Sequence, residues 1–198
     1  MNLTDHRDRI TYLLRPASAF AVRVGLTPNQ LSLLSFISGV VAAIFYAKTY
    51  PAGGAAFLLI SAILDLLDGD VARRIGHSSD FGAAIDWIID KYIDAFVIIG
   101  IALGGVDARI ALFALFGSFI NTFIKPVVYA EIGYRSRVSG KINDPIEAVG
   151  FFGRPETIIT ILLFSFIHLN IGLAIIAVMT HLSAIQRIAY LYKHYRVS

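Results

Sequence analysis

The sequence contains no cysteine, which excludes disulfides, thiolate metal sites and cysteine nucleophiles while saying little about compartment. Charge is scarce as well: 16% of the 198 residues are charged and 57% are hydrophobic, with a mean hydropathy of +0.70. A soluble domain of this length carries more polar surface, so the chain reads as a membrane protein. It lacks internal repeats, a heptad array and any composition shift marking a soluble domain. A cleavable signal peptide is not expected either. Asp5, Arg7, Asp8, Arg9, Arg15 and Arg23 interrupt the first thirty residues, where a signal needs a short basic flank and an unbroken apolar core.

What is present is a series of apolar stretches separated by turn residues. Residues 3–24 alternate charged and apolar positions at helical spacing, with Ile10, Leu13, Leu14, Ala17, Phe20, Ala21 and Val24 on one side, and predict an amphipathic interfacial helix that Pro16 kinks or divides. Thr27 is placed to cap a first transmembrane helix over 31–47, with Pro28 at its first position. Further apolar stretches predict helices over 55–75, 82–104, 108–130, 155–169 and 172–192, with a polar segment over 134–143. Most are about twenty residues long, enough to cross a bilayer core of ~30 Å. The expectation is an all-α polytopic membrane protein: one domain over 1–198, an interfacial helix in 1–26, and a six-helix transmembrane bundle in 27–198.

With six spans, all of the 17 basic residues except Lys48, Arg109 and Lys91 fall at one membrane face, Lys91 lying within the third span. The positive-inside rule makes that face cytoplasmic and the location the cell membrane. A five-span chain would separate the basic C-terminus from the rest. The net charge of +3 therefore tracks topology, and no nucleic-acid partner is expected.

The stretch DLLDGDVARRIGHSSDFGAAIDWIID, residues 65–90, places Asp65, Asp68, Asp86 and Asp90 in apolar surroundings. Asp65 and Asp68 are i and i+3, and Asp86 and Asp90 are i and i+4, so each pair projects from one side of its own helix. Side by side, the two helices would bring the carboxylates together. Clustered anions at membrane depth cost on the order of several kcal/mol each to desolvate and call for a cation. Clustered carboxylate ligands suit Mg²⁺, Mn²⁺ or Ca²⁺, and Mg²⁺ commonly shares its coordination with substrate phosphates. Between the pairs, Gly69 and Ala72 leave room for a ligand, Arg73 offers a fork matched to phosphate, and Gly82 opens the second helix without a side chain.

The pattern Asp65-x2-Asp68-Gly69-x2-Ala72-Arg73-x8-Gly82-x3-Asp86-x3-Asp90 resembles the signature of the CDP-alcohol phosphotransferases, integral membrane enzymes that make phospholipids and related phosphodiesters. The resemblance implies a transferase that passes a substituted phosphate group from a CDP-alcohol donor to an acceptor alcohol and releases CMP. It implies two Mg²⁺ ions, for which Mn²⁺ can substitute, held by the four aspartates, with Asp90 as general base. It also assigns the donor to Asp68, Gly69, Arg73 and Ser79, and to the Thr27, Pro28, Asn29 and Gln30 segment, which the residues alone describe as a helix start. A homodimer is expected of the family; the sequence offers small-residue faces such as Gly82-Ala83-Ala84.

Lys125, Arg135, Arg137 and Arg154 gather near the cytoplasmic ends of the fourth and fifth spans, where they either hold an acceptor phosphate or form an ordinary positive-inside rim. The segment Gly150 to Glu156 resembles the one opening the fifth helix in the branch that uses inositol phosphate, where a basic residue holds the acceptor phosphate. It departs from that branch at Pro155 and at Thr157, a position often basic. Relatives of this type also make soluble inositol phosphodiesters, so donors with and without a lipid tail stay open, as does glycerol phosphate as acceptor. Asp70 can pair with Arg73 or Arg74 or face the nucleotide, and Lys91 can snorkel or pair with Asp94. A cation-coupled transporter is the competing class, since intramembrane aspartates also bind coupling ions.

Overall fold

The computed structural model describes residues 7–76, 79–132, 137–138, 141–142, 146 and 149–195. Among them the chain forms seven helices: α1 (Arg7–Arg23), α2 (Pro28–Ala47), α3 (Pro51–Arg74), α4 (Asp80–Leu103), α5 (Ala108–Glu131), α6 (Arg154–Phe164) and α7 (Leu169–Tyr195). Two two-residue strands, β1 (Arg137–Val138) and β2 (Lys141–Ile142), pair antiparallel within the stretch expected to be merely polar, so among the described residues the regular structure is helical but for one short ladder.

The helix starts follow local chemistry. Thr27 caps α2 as expected: its hydroxyl accepts from the Gln30 N–H at 3.3 Å while the Gln30 side chain accepts from the Thr27 N–H at 2.9 Å. α3 begins at Pro51, four residues before the expected start, because Pro51 suits a first turn and Gly53 and Gly54 lie against Phe45 and Tyr46 of α2, where a side chain would not fit. Ser79 caps α4, accepting from the Gly82 N–H at 3.0 Å. Asp107 caps α5, and the Arg109 guanidinium and backbone N–H hold its carboxyl down at about 2. α1 runs through Pro16 without a break. Its apolar side is shared: Leu14 and Ala21 pack with Leu67 and Val71 of α3, while Leu13 and Phe20 point outward.

α2, α5 and α7 are long and apolar enough to cross a membrane. α3 and α4 have 24 residues each but carry the acidic cluster. α6 has 11 residues and ends at Phe164, short of the expected Leu169. At ~1.5 Å per residue it reaches only about halfway across a bilayer core. α2 packs against both α3 and α4, and α6 against α3 and α7.

Glycines form the seam between α2 and α4. A Cβ at Gly39 would meet Ile93, one at Gly100 would meet the Ala43 carbonyl, and one at Gly104 the Tyr46 carbonyl. At Gly100 the obstacle is backbone, which cannot rotate away. Gly100→Ala is therefore expected to lower stability by about 1–3 kcal/mol through overpacking, although alanine is the better helix former. Thermal unfolding in detergent measures this, and an unchanged midpoint would refute the close crossing.

Candidate active site

α2 packs against both α3 and α4 and so turns the acidic positions of the two helices towards one another. Asp65 and Asp68 of α3 and Asp86 of α4 each offer a carboxylate oxygen, all within 4.8 Å of one another. Asp68 is buried and accepts from the Ser32 hydroxyl of α2 at 2.6 Å. The sequence reading missed Ser32; its signal is the position one turn after Pro28, whose carbonyl lies 3.1 Å from the same hydroxyl. An all-oxygen donor set of this kind fits a hard divalent cation.

Asp90, one turn further along α4, stands apart from that triad. Its Oδ1 lies 2.9 Å from Nη1 of Arg154, and the same nitrogen donates to Oδ2 of Asp65 at 2.9 Å. Nε of Arg154 lies 3.5 Å from Oδ1 of Asp94. Arg154 is thus not a peripheral rim charge. It is the first residue of α6, with Pro155 second rather than first, and Glu156 closes the turn by accepting from the Gly153 N–H at 2.8 Å. Nη2 of Arg154 is buried and has no hydrogen-bond partner among the described residues.

The segment that delivers Arg154 is fastened by Arg187, which in the sequence counts only towards topology, and by Asn121, which no sequence motif marks. Arg187 of α7 is fully buried; its Nη1 donates to the Asn121 side-chain oxygen at 2.7 Å and to the Asn121 carbonyl. Asn121 in turn donates to the Phe152 carbonyl at 2.7 Å, and Gly150 lies so close to the guanidinium that a Cβ there would meet it. A single arginine within an apolar helix, four residues after Ser183, is the signal that could have found it.

The other expected site residues are placed as follows. Gly69 keeps an open surface, a Cβ there being 3.6 Å from Nη1 of Arg73, and Ala72 is half-buried beside it. Arg73 is exposed, 3.5 Å from Asp70, whereas Arg74 pairs with Asp70 at 2.7 Å. Asp70 is thereby a partner of both arginines. Thr27, Gln30, Ser79 and Gly82 are engaged in helix caps, Pro28 opens α2, and Asn29 is exposed. Lys125 is buried, with its ammonium 5.3 Å from the centre of the Trp87 ring. Arg137 lies in β1, and Arg135 falls outside the described residues. Lys91 pairs with Asp94 at 2.5 Å, one of the two roles expected of it.

Residues 25–185 match the family model of the CDP-alcohol phosphatidyltransferases. The chain belongs to this family. Archaetidylinositol phosphate synthase of Pyrococcus horikoshii is 32% identical over 189 residues, covering 94% of each chain. The protein of the same name from Methanothermobacter thermautotrophicus is 31% identical over 182 residues, covering 87% of each. The crystal structure of Mycobacterium tuberculosis phosphatidylinositol phosphate synthase with CDP-DAG bound superposes with a TM-score of 0.73 at 26% identity, over 93% of this chain and 94% of that one. The same enzyme in complex with manganese and citrate gives 0.72 at 26% identity, over 89% and 88%. This CDP-alcohol phosphatidyltransferase is therefore a membrane-embedded, metal-using transferase that moves a substituted phosphate group from a CDP-alcohol to an acceptor hydroxyl. The transporter reading gives way to it.

Proposed function

We propose that this CDP-alcohol phosphatidyltransferase uses a phosphorylated polyol, inositol phosphate, as its acceptor, with Mg²⁺ as the physiological metal. The observation that carries the proposal is Arg154: a guanidinium drawn from the start of α6 into the carboxylate cluster, with Nη2 uncommitted among the described residues. A planar fork at that position suits a phosphate oxygen. The names of the archaeal and mycobacterial relatives point the same way.

Asp65, Asp68 and Asp86 would hold one ion, with Asp90 completing the set for a second. When bound, the metal neutralises the donor pyrophosphate and makes CMP a better leaving group. Asp90 takes the proton from the attacking acceptor hydroxyl. Gly69, Ala72 and Arg73 of α3, with Ser79, Gly82 and the segment from Thr27 to Gln30, line the donor side, where the glycines let phosphate approach the backbone. Lys125 joins Arg154 on the acceptor side, with Arg135 and Arg137 as further contributors. The membrane placement belongs to the same proposal: α2 to α7 as six spans of one domain, α6 being completed by its flanking segments, α1 at the interface, and the acidic cluster facing the cytoplasm of the cell membrane. It also includes a homodimer, with the exposed Ala84 side of α4 available for contact.

An acceptor panel with CMP release as readout tests it. Phosphorylated inositol should be preferred over free inositol. Arg154→Ala should weaken acceptor binding by roughly tenfold to a hundredfold, because a charge-assisted hydrogen bond is worth on the order of 1.5–3 kcal/mol, and should leave donor affinity unchanged. Equal rates with phosphorylated and free polyol would return the basic cluster to a topological role.

A further inference from the structure

Asp94 is a buried carboxylate that neither the metal cluster nor the proton transfer uses. It is 5% exposed, sits one turn beyond Asp90 on α4, and divides its two oxygens between two cations. Oδ2 lies 2.5 Å from Nζ of Lys91, and Oδ1 lies 3.5 Å from Nε of Arg154. Lys91 is itself anchored, donating to the Ser118 hydroxyl of α5 at 3.3 Å. Three helices therefore meet through this carboxylate: α4 supplies it, α5 steadies its lysine, and α6 brings the guanidinium.

A simple ion pair between Lys91 and Asp94 would satisfy both buried charges and needs no third member. Yet the second oxygen lies 3.5 Å from Nε of Arg154, an ion-pair contact in which Nε makes no hydrogen bond among the described residues, while Nη1 is shared by Asp65 and Asp90. Asp65 and Asp90 belong to the proposed metal set, so their hold on Arg154 weakens to the extent that a cation engages them. Asp94 has no such second commitment. We propose that Asp94, braced by Lys91, is the positioning residue that fixes the orientation of the Arg154 guanidinium and so sets the affinity for the acceptor phosphate. This rests on the reading of Arg154 as the acceptor-phosphate ligand. A carboxylate charge beside Nε keeps Nη2 aimed in one direction; without it, the guanidinium is free to turn Nη2 as well towards Asp65 and Asp90, which already engage Nη1.

The test separates positioning from plain charge pairing. Asp94→Asn alone strands Lys91, so the informative variant is the neutral pair Lys91→Gln with Asp94→Asn, compared with wild type by thermal unfolding, equilibrium binding of inositol phosphate, and KM for both substrates. The double variant should unfold near the wild-type temperature and bind inositol phosphate about tenfold more weakly, with donor KM within about twofold of wild type, because misdirecting a binding group costs affinity at that group alone. Asp94→Glu, which keeps the lysine pair but displaces the carboxylate by a methylene, should raise acceptor KM in the same sense. Wild-type acceptor binding in the double variant, or in a stable Asp94→Glu, would overturn the inference and leave Asp94 as half of a structural ion pair. Arg154→Ala is run alongside: if it too leaves acceptor binding unaltered, the reading of Arg154 itself has failed, whereas a large effect there beside none at Asp94 refutes only the positioning role.

Discussion

Asp86→Ala is expected to abolish CMP release and to lose metal and CDP-alcohol binding together. Asp86 is the α4 contribution to a triad whose other members, Asp65 and Asp68, both come from α3. Removing it leaves the ion of that triad only the two carboxylates of α3, with Asp90 of α4 turned to Arg154, and these cannot enclose it from both sides. Losing a partner that merely orients a ligand already lowers metal affinity by about 10–100-fold, so loss of the ligand itself should exceed about 10²-fold. Donor binding falls with it, because a pyrophosphate has little reason to settle beside uncompensated carboxylates. Asp86 is a cleaner probe than Asp65, which also holds Arg154. Binding of Mn²⁺ followed by electron paramagnetic resonance, with donor binding measured in parallel, checks the prediction. The same logic requires that thorough chelation stop turnover and that Mg²⁺ or Mn²⁺ restore it; turnover that survives chelation, or an Asp86→Ala protein that binds Mn²⁺ normally, contradicts the assignment.

Asp90→Asn should behave differently. Asparagine keeps an oxygen that can serve as a ligand but is not a base at neutral pH, so donor and Mn²⁺ should still bind while turnover drops by ~10²–10⁴-fold. The geometry favours this separation, since Asp90 lies outside the triad and next to Arg154, the residue proposed for the acceptor side. Turnover at the wild-type rate would remove Asp90 from proton transfer. Loss of Mn²⁺ binding in this variant would make it foremost a metal ligand.

Much of this protein was legible along the chain because helices convert spacing into direction. The i, i+3 and i, i+4 aspartates predicted one-sided carboxylate pairs, the apolar stretches predicted the helices, and Thr27 with Pro28 predicted the start of α2. Helix ends were less legible where tertiary contacts override local propensity. The glycines of α3 read as a turn, yet they are helical because the aromatic rings of α2 cover them. α6 stops at Phe164, where the chain leaves the helix through Ser165, whose hydroxyl meets Tyr46 of α2 at 2.8 Å.

The site divides along the same line. Which residue types it contains, and that such carboxylates call for a cation and suit a divalent one, follow from the sequence by itself, because anions in an apolar helix need compensation. How those carboxylates are shared out was decided only by the tertiary structure. The seating of α3 and α4 on α2 gathers Asp65, Asp68 and Asp86 and leaves Asp90 facing Arg154, which lies 89 residues from Asp65 in the chain. Asp94 and Arg187 acquire their places only once α5, α6 and α7 pack around them. Spacing within one helix is set by local backbone geometry, whereas contacts between helices depend on offset and rotation, which the packing of side chains along the whole bundle determines.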